Sequence, residues 1–189
     1  MDRDEFWALV VANRAAAAAL PATERVRGLL HHRTVERRLT QRQVQALRDQ
    51  LARSADDDVL AFRTHLGAVR RQAYTWDLWG AAYLAHGGLG DESFTDLRTW
   101  LVMQGREAWE RVLSDPDALV ELQWREDGED LGDAELWAYV AEEVWEERHG
   151  DGLPVDPLQP AGAPAGEPFD EDDEDALRRR YPRLAGRYL

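Results

Sequence analysis

Cysteine is absent from the 189 residues, and so are lysine and isoleucine. Without cysteine the chain has no disulfide, no thiolate nucleophile and no cysteine-based metal site. Asn13 is the only asparagine. With lysine missing, the fixed positive charge of the side chains is all arginine. Together with abundant alanine and glycine this is the composition that GC-rich codons produce, and it needs no functional cause. No apolar run approaches the ~20 residues that cross a bilayer, so no membrane contact is expected. The opening MDRDEFWALV is acidic where a signal peptide is basic, and a cytoplasmic location is expected.

What is present fits one domain with a tail, with a hydrophobic fraction of 44%. Charge is unevenly spread: residues 1–75 carry 13 arginines against nine acids, and residues 76–189 carry ten against 28, for a net −14. An acidic protein repels a nucleic-acid backbone unless it focuses a basic patch. Residues 25–53 hold eight arginines with only Glu36 and Asp49 among them. Pairing of that stretch with the acidic half is the expectation, and nucleic acid is not an expected partner. Docking of the acidic half on a basic partner is an alternative.

The periodicity is helical throughout, with no alternating β-branched run. Asp2 and Glu5 form a capping-box variant ahead of Phe6, Trp7, Val10 and Val11, and the alanines at 15–19 extend that helix to Pro21. Thr23 is expected to cap a helix carrying Val26, Leu29 and Leu30, with a ragged end around residues 31–38. Thr40 and Gln43 predict a new start before Val44, Leu47 and Leu51, and Ser54 with Asp57 another before Val59, Phe62, Leu66, Val69 and Ala73. Thr75 caps a helix over residues 76–86 that is apolar all round and so central, closed by Gly87 and Gly88. The next helix starts at Gly90 and Asp91 and places Asp91, Phe94, Arg98, Leu101 and Gly105 on one face. Asp115-Pro116 opens another. Residues 125–132 predict a loop, with Asp133 capping a last helix through Leu136, Trp137, Val140, Ala141, Val144 and Trp145.

The expected architecture is all-α: a compact multi-helix bundle around the 76–86 helix. Its domain spans residues 1–149, a Pro/Gly-rich linker residues 150–168, and residues 169–189 dock back on the domain.

Phe6-Trp7, Leu78-Trp79-x-Ala81-Ala82-Tyr83-Leu84, Gly87-Gly88-x-x-Asp91-Glu92-x-Phe94 and Arg98-x-Trp100-Leu101-x-x-x-Gly105-Arg106 resemble, in that order, the motifs of a bacterial domain-of-unknown-function family. The family pattern reads FW, LWxAAYL, GGxxDDxF and FRxWLxxxGR, and the likeness covers roughly residues 4–120. Glu92 stands where the family often has a second Asp, and Leu97 where it often has Phe. The resemblance implies a helical fold and brings no reaction with it.

The candidate site is the corner between the 76–86 helix and the next, with Trp76, Asp77, Trp79, Asp91, Glu92, Arg98 and Arg106 as ligand-binding candidates. A guanidinium on an apolar face needs a carboxylate or carbonyl partners. Two readings follow: an Arg98–Asp clasp fixing two helices, or an anion site lined by tryptophan with Arg98 or Arg106 as bidentate donor. Catalytic residues are not assigned. No metal is expected, since His31, His32, His65, His86 and His149 lack ligand spacing. Glu142, Glu143, Glu146 and Glu147 read as a solvated face, with the tail arginines, Arg178 to Arg180, Arg183 and Arg187, expected to fold across it.

The functional expectation is a ligand-binding or protein-interaction module without cofactor. Its partner would be a small anionic ligand or a protein. The alternative is an enzyme acting on a small anionic substrate at the Asp77/Asp91/Arg98 corner.

Overall fold

The computed structural model describes residues 1–19, 31–122, 129–154 and 162–189. The cap expected at Thr23, the apolar positions Val26, Leu29 and Leu30, and the stop at Pro21 lie outside them. Side chains 31–38, and with them much of the basic run, are also outside the description. No described helix is long and apolar enough to cross a membrane.

Among the described residues the elements are all helical, in the order α1 (Arg3–Ala19), α2 (His31–Leu51), α3 (Asp56–Gln72), α4 (Trp76–His86), α5 (Asp91–Met103), α6 (Arg106–Ser114), a 3-10 segment (Pro116–Glu121), α7 (Glu129–His149), α8 (Glu174–Arg180) and α9 (Pro182–Tyr188). Helix α7 packs along α2, α5 and α3, while α1 packs on α2. On the other side α9 lies against α4 and the 3-10 segment.

Local signals set several ends. Asp2 and Glu5 exchange backbone and side-chain bonds of 2.7 and 2.9 Å, a reciprocal box at the start of α1. Thr75 accepts from Leu78 N at 3.1 Å, and Gly87 closes α4 at φ 66°, a left-handed conformation that glycine adopts without a Cβ penalty. Gly105, at φ 95°, breaks the long helix expected from Asp91 onward into α5 and α6.

Three expected starts are displaced. Residues 31–38 are the first turns of α2, which runs unbroken through Thr40. Gln43 does not complete a capping box; it is buried and donates to Met103 O at 3.1 Å, covering a carbonyl at the end of α5. Ser54 donates back to Gln50 O, and the N-cap of α3 is Ala55, with no side-chain bond. Helix α7 begins at Glu129, so Asp133 lies inside it and part of the expected loop is helix.

The core is aromatic at its centre. Phe6 meets Trp7 at 5.2 Å and Phe62 at 5.5 Å between ring centroids, Trp7 meets Trp109 at 5.4 Å, and Phe62 meets Trp137 at 5.5 Å. Offset and edge contacts of this kind add about 0.5–1.5 kcal/mol per pair beyond area burial. One polar seam crosses it. Asn13 donates to Gln43 O at 2.9 Å and accepts from Trp137 Nε1 at 3.4 Å.

The carboxylate face of α7 is met by α2 and α3, not by the tail. Arg48 binds Glu143 and Glu147, and Arg63 binds Glu142. Arg148 reaches the other way, to Asp56 at 2.7 Å and to Leu51 O. These arginines sit one row beside the apolar stripes of their helices, and burial of those stripes turns them toward α7. The closing segment lies on α4 and the 3-10 segment. Leu177, Tyr181, Leu184 and Ala185 are buried there. Asp117 accepts from Arg183 N and Leu184 N at 2.9 Å each, and Arg183 also reaches Glu121 at 2.8 Å.

Gly80 makes that packing possible. A Cβ at this position would lie 2.7 Å from the Tyr181 hydroxyl and 3.1 Å from the Phe169 ring. Gly80→Val is therefore expected to cost about 1–3 kcal/mol by overpacking, against a helix-propensity gain of well under 1 kcal/mol. Urea unfolding gives the cost, and faster proteolysis within residues 162–189 should accompany it. Unchanged cleavage would show that the segment does not depend on this contact.

Candidate functional site

The expected corner is dispersed. Asp77, at the start of α4, receives Arg180 Nε at 2.7 Å and the Tyr181 hydroxyl at 3.0 Å, while its backbone carbonyl takes the same hydroxyl at 2.8 Å. Burial, then the Asp77 charge, push the Tyr181 phenol far above its ordinary pKa, which keeps it a donor. Asp91 and Glu92 are exposed. Arg106 is exposed too and joins α6 to α1 through Asp4 at 2.7 Å, beside Glu110 on its own helix. None of Asp77, Asp91 and Arg98 hydrogen-bonds or ion-pairs with another.

The tryptophans stack. Trp76 and Trp79 lie 5.2 Å apart at 11°, and Trp79 lies 4.8 Å from Phe94 at 15°. Trp79 Nε1 donates to Leu89 O at 2.8 Å, so the ladder staples α4 to the turn before α5. Phe169 closes its outer end edge-on.

Arg98 is fully buried. Its guanidinium donates to Phe94 O at 3.4 Å, to Arg70 O at 3.2 Å and to Thr95 Oγ1 at 2.9 Å, and it lies 4.5 Å from the Tyr74 ring and 5.2 Å from Phe94. Carbonyls, a hydroxyl and two ring faces replace water around this charge. The expected Arg–Asp clasp is an arginine–carbonyl clasp, joining α5 to the end of α3.

Behind that clasp lies a cleft of about 320 Å³ between α3, α5 and α7. It is lined by Arg70 from α3, Glu92, Thr95 and Asp96 from α5, and Glu135, Ala138 and Tyr139 from α7. Among the expected site residues only Glu92 reaches it. Arg70 is 2% exposed, and its Nε is buried without a hydrogen-bond partner. No described carboxylate ion-pairs with it, although Asp96 supports its charge through the field. Burial lowers its pKa to about 10, which leaves it charged at neutral pH. Burial, then Glu135, push Asp96 up to about 6. Arg98 braces the lining, because it holds both the Arg70 carbonyl and the Thr95 hydroxyl.

Arg70 was the residue to find. Arg63, Gly67 and Arg70 form a row at i, i+4, i+7 beside the apolar row of α3. Two arginines around a glycine, next to a core stripe, signal enclosed guanidinium groups. Arg63 has Glu142 as partner, whereas Arg70 opens on the cleft.

No curated protein and no solved structure matches the chain. The family described as a protein of unknown function, DUF4240, matches residues 1–147, and the chain belongs to that family.

Proposed function

We propose that the protein is a small-molecule-binding module whose site is the α3/α5/α7 cleft, with Arg70 receiving an anionic part of the ligand. The observation that carries this reading is Arg70 itself, a buried guanidinium that lines the cleft and whose Nε has no hydrogen-bond partner. An enclosed charge with unmet donors costs several kcal/mol, which a core position has no reason to retain. A guanidinium is also the side chain best matched to planar two-oxygen anions. Its cost is offset when such a group binds.

Replacement of Arg70 by Met separates the two roles a buried arginine can have. A structural arginine would lower the melting temperature when removed. The binding reading expects Arg70→Met to leave the melt unchanged or raised, because a poorly paired buried charge has gone. Loss of binding is expected in the same variant. The Arg70 Nε–Hε resonance, identified by its disappearance in that variant, should move saturably when acetate, glycine or 4-aminobutanoate is added. A resonance that none of them moves would overturn the assignment, and a strongly destabilised variant would return Arg70 to a structural role.

A second reading, an enzyme acting on the same ligand, is favoured by Asp96. A carboxylic acid near pH 6 facing an arginine in a cleft is suited to proton transfer.

A further inference from the structure

The lining of the cleft is mixed in sign, and the mixture narrows the ligand. Arg70 contributes one positive charge, while Glu92, Asp96 and Glu135 contribute three carboxylates. A plain monoanion would meet Arg70 only after passing two exposed acids, Glu92 and Glu135. A plain monocation would be drawn by those acids but would leave the buried Nε of Arg70 unmet and face a like charge. Among the described residues no group of three or more His, Asp and Glu side chains is placed to hold a metal ion. The carboxylates are spread around the cleft, as suits an ammonium carried on a stem.

We propose that the cleft binds a small zwitterion, an amino carboxylate whose carboxylate sits on the Arg70 guanidinium and whose ammonium sits among Glu92, Asp96 and Glu135. The proposal rests on the reading of this cleft as a binding site and specifies its ligand class. The volume, about 320 Å³, is at the small end of ligand-binding cavities, which run from about 300 to 1,000 Å³. Tyr139 borders the cleft and is 46% exposed, which puts an aromatic side chain beside the acids. Thr95 adds a hydroxyl already oriented by Arg98.

The titration of Asp96 agrees with this geometry. Arg70 from α3, Glu92 and Arg98 on α5, and Glu135 from α7 act on it, with Tyr139 beside it in the lining. Burial raises its pKa first and the Glu135 charge second, and Arg70 only partly offsets them. An added ammonium favours the ionised form, so binding near pH 6 releases a proton and weakens as the pH falls below about 6.

The test uses the full chain, labelled with 15N, and follows the Arg70 Nε–Hε resonance. Glycine, 4-aminobutanoate and 6-aminohexanoate are each titrated against the acid of equal length (acetate, butanoate and hexanoate), and butylamine serves as the cation alone. At least one amino acid is expected to bind tenfold or more tightly than its matched acid and than butylamine. Glu135→Gln, at an exposed position, should erode that advantage about threefold while leaving the matched acid no weaker. Asp96→Asn should erode it further where that variant folds. An acid that binds as tightly as its amino counterpart would overturn the zwitterion and leave Arg70 an anion site. Butylamine binding as tightly would overturn it in the opposite sense. If no probe moves the resonance, both the ligand class and the binding reading fall.

Discussion

Arg98→Ala is expected to destabilise the protein by about 3–4 kcal/mol and to lower its melting midpoint by roughly 10 °C. Two contributions add. The first is a cavity left by one of the largest fully buried side chains in the core. The second is the loss of the guanidinium that donates to the Arg70 carbonyl and to the Thr95 hydroxyl. Arg98→Met separates them. It keeps most of the volume and removes a buried charge, so its cost should be about 1–2 kcal/mol. Arg98→Lys is not conservative here, since an ammonium cannot span three acceptors and lie flat on Tyr74 as well. A melt unchanged in Arg98→Ala would refute the clasp. Because Arg98 also holds two groups of the cleft lining, the Met variant should weaken any Arg70 ligand even where the fold survives.

Deletion of residues 169–189 is expected to be larger still. Burial of Leu177, Tyr181 and Leu184 contributes roughly 5–8 kcal/mol by area, from which the conformational entropy regained by the freed segment is subtracted. Two further losses follow. Asp117, only 5% exposed, loses the Arg183 and Leu184 donors, and the face of α4 bearing Gly80 is opened to water. Against total stabilities of about 5–15 kcal/mol, a truncated chain should have a melting midpoint at least about 10 °C lower and bind hydrophobic dyes. Full-length melting behaviour in the truncated form would overturn this. The interactions of Arg48 and Arg63 with α7 would be untouched by the deletion, which distinguishes this surface from the one expected first.

Much of the fold was legible because local chemistry and burial agree. Asp2 with Glu5, Thr75 and Gly87 mark helix ends by bonds within four residues, and such signals survive without tertiary information. The stripe Val59, Phe62, Leu66, Val69, Ala73 is buried as its spacing requires. Thr40, Gln43 and Ser54 misled because the same side chains serve caps or helix interiors, and the choice depends on a neighbour such as Met103 sixty residues away. In the candidate site, the apolar face carrying Arg98 predicted its burial. It did not reveal that carbonyls, rather than an acid, would surround the guanidinium, since backbone acceptors leave no trace in sequence. The cleft at Arg70 was hidden for a related reason: three helices far apart in sequence each supply only part of it.

Asn13 carries a consequence for uniqueness rather than for strength. An all-apolar seam between α1, α2 and α7 would tolerate a slide of one helical turn, about 5.4 Å, with little change in buried area. With a carboxamide fixed between Gln43 O and Trp137 Nε1, the same slide strands polar groups away from water. The one asparagine of the chain thus selects a single alignment among packings of nearly equal energy, and it holds α7 in the register that brings Glu135 and Tyr139 to the cleft that Arg70 also lines.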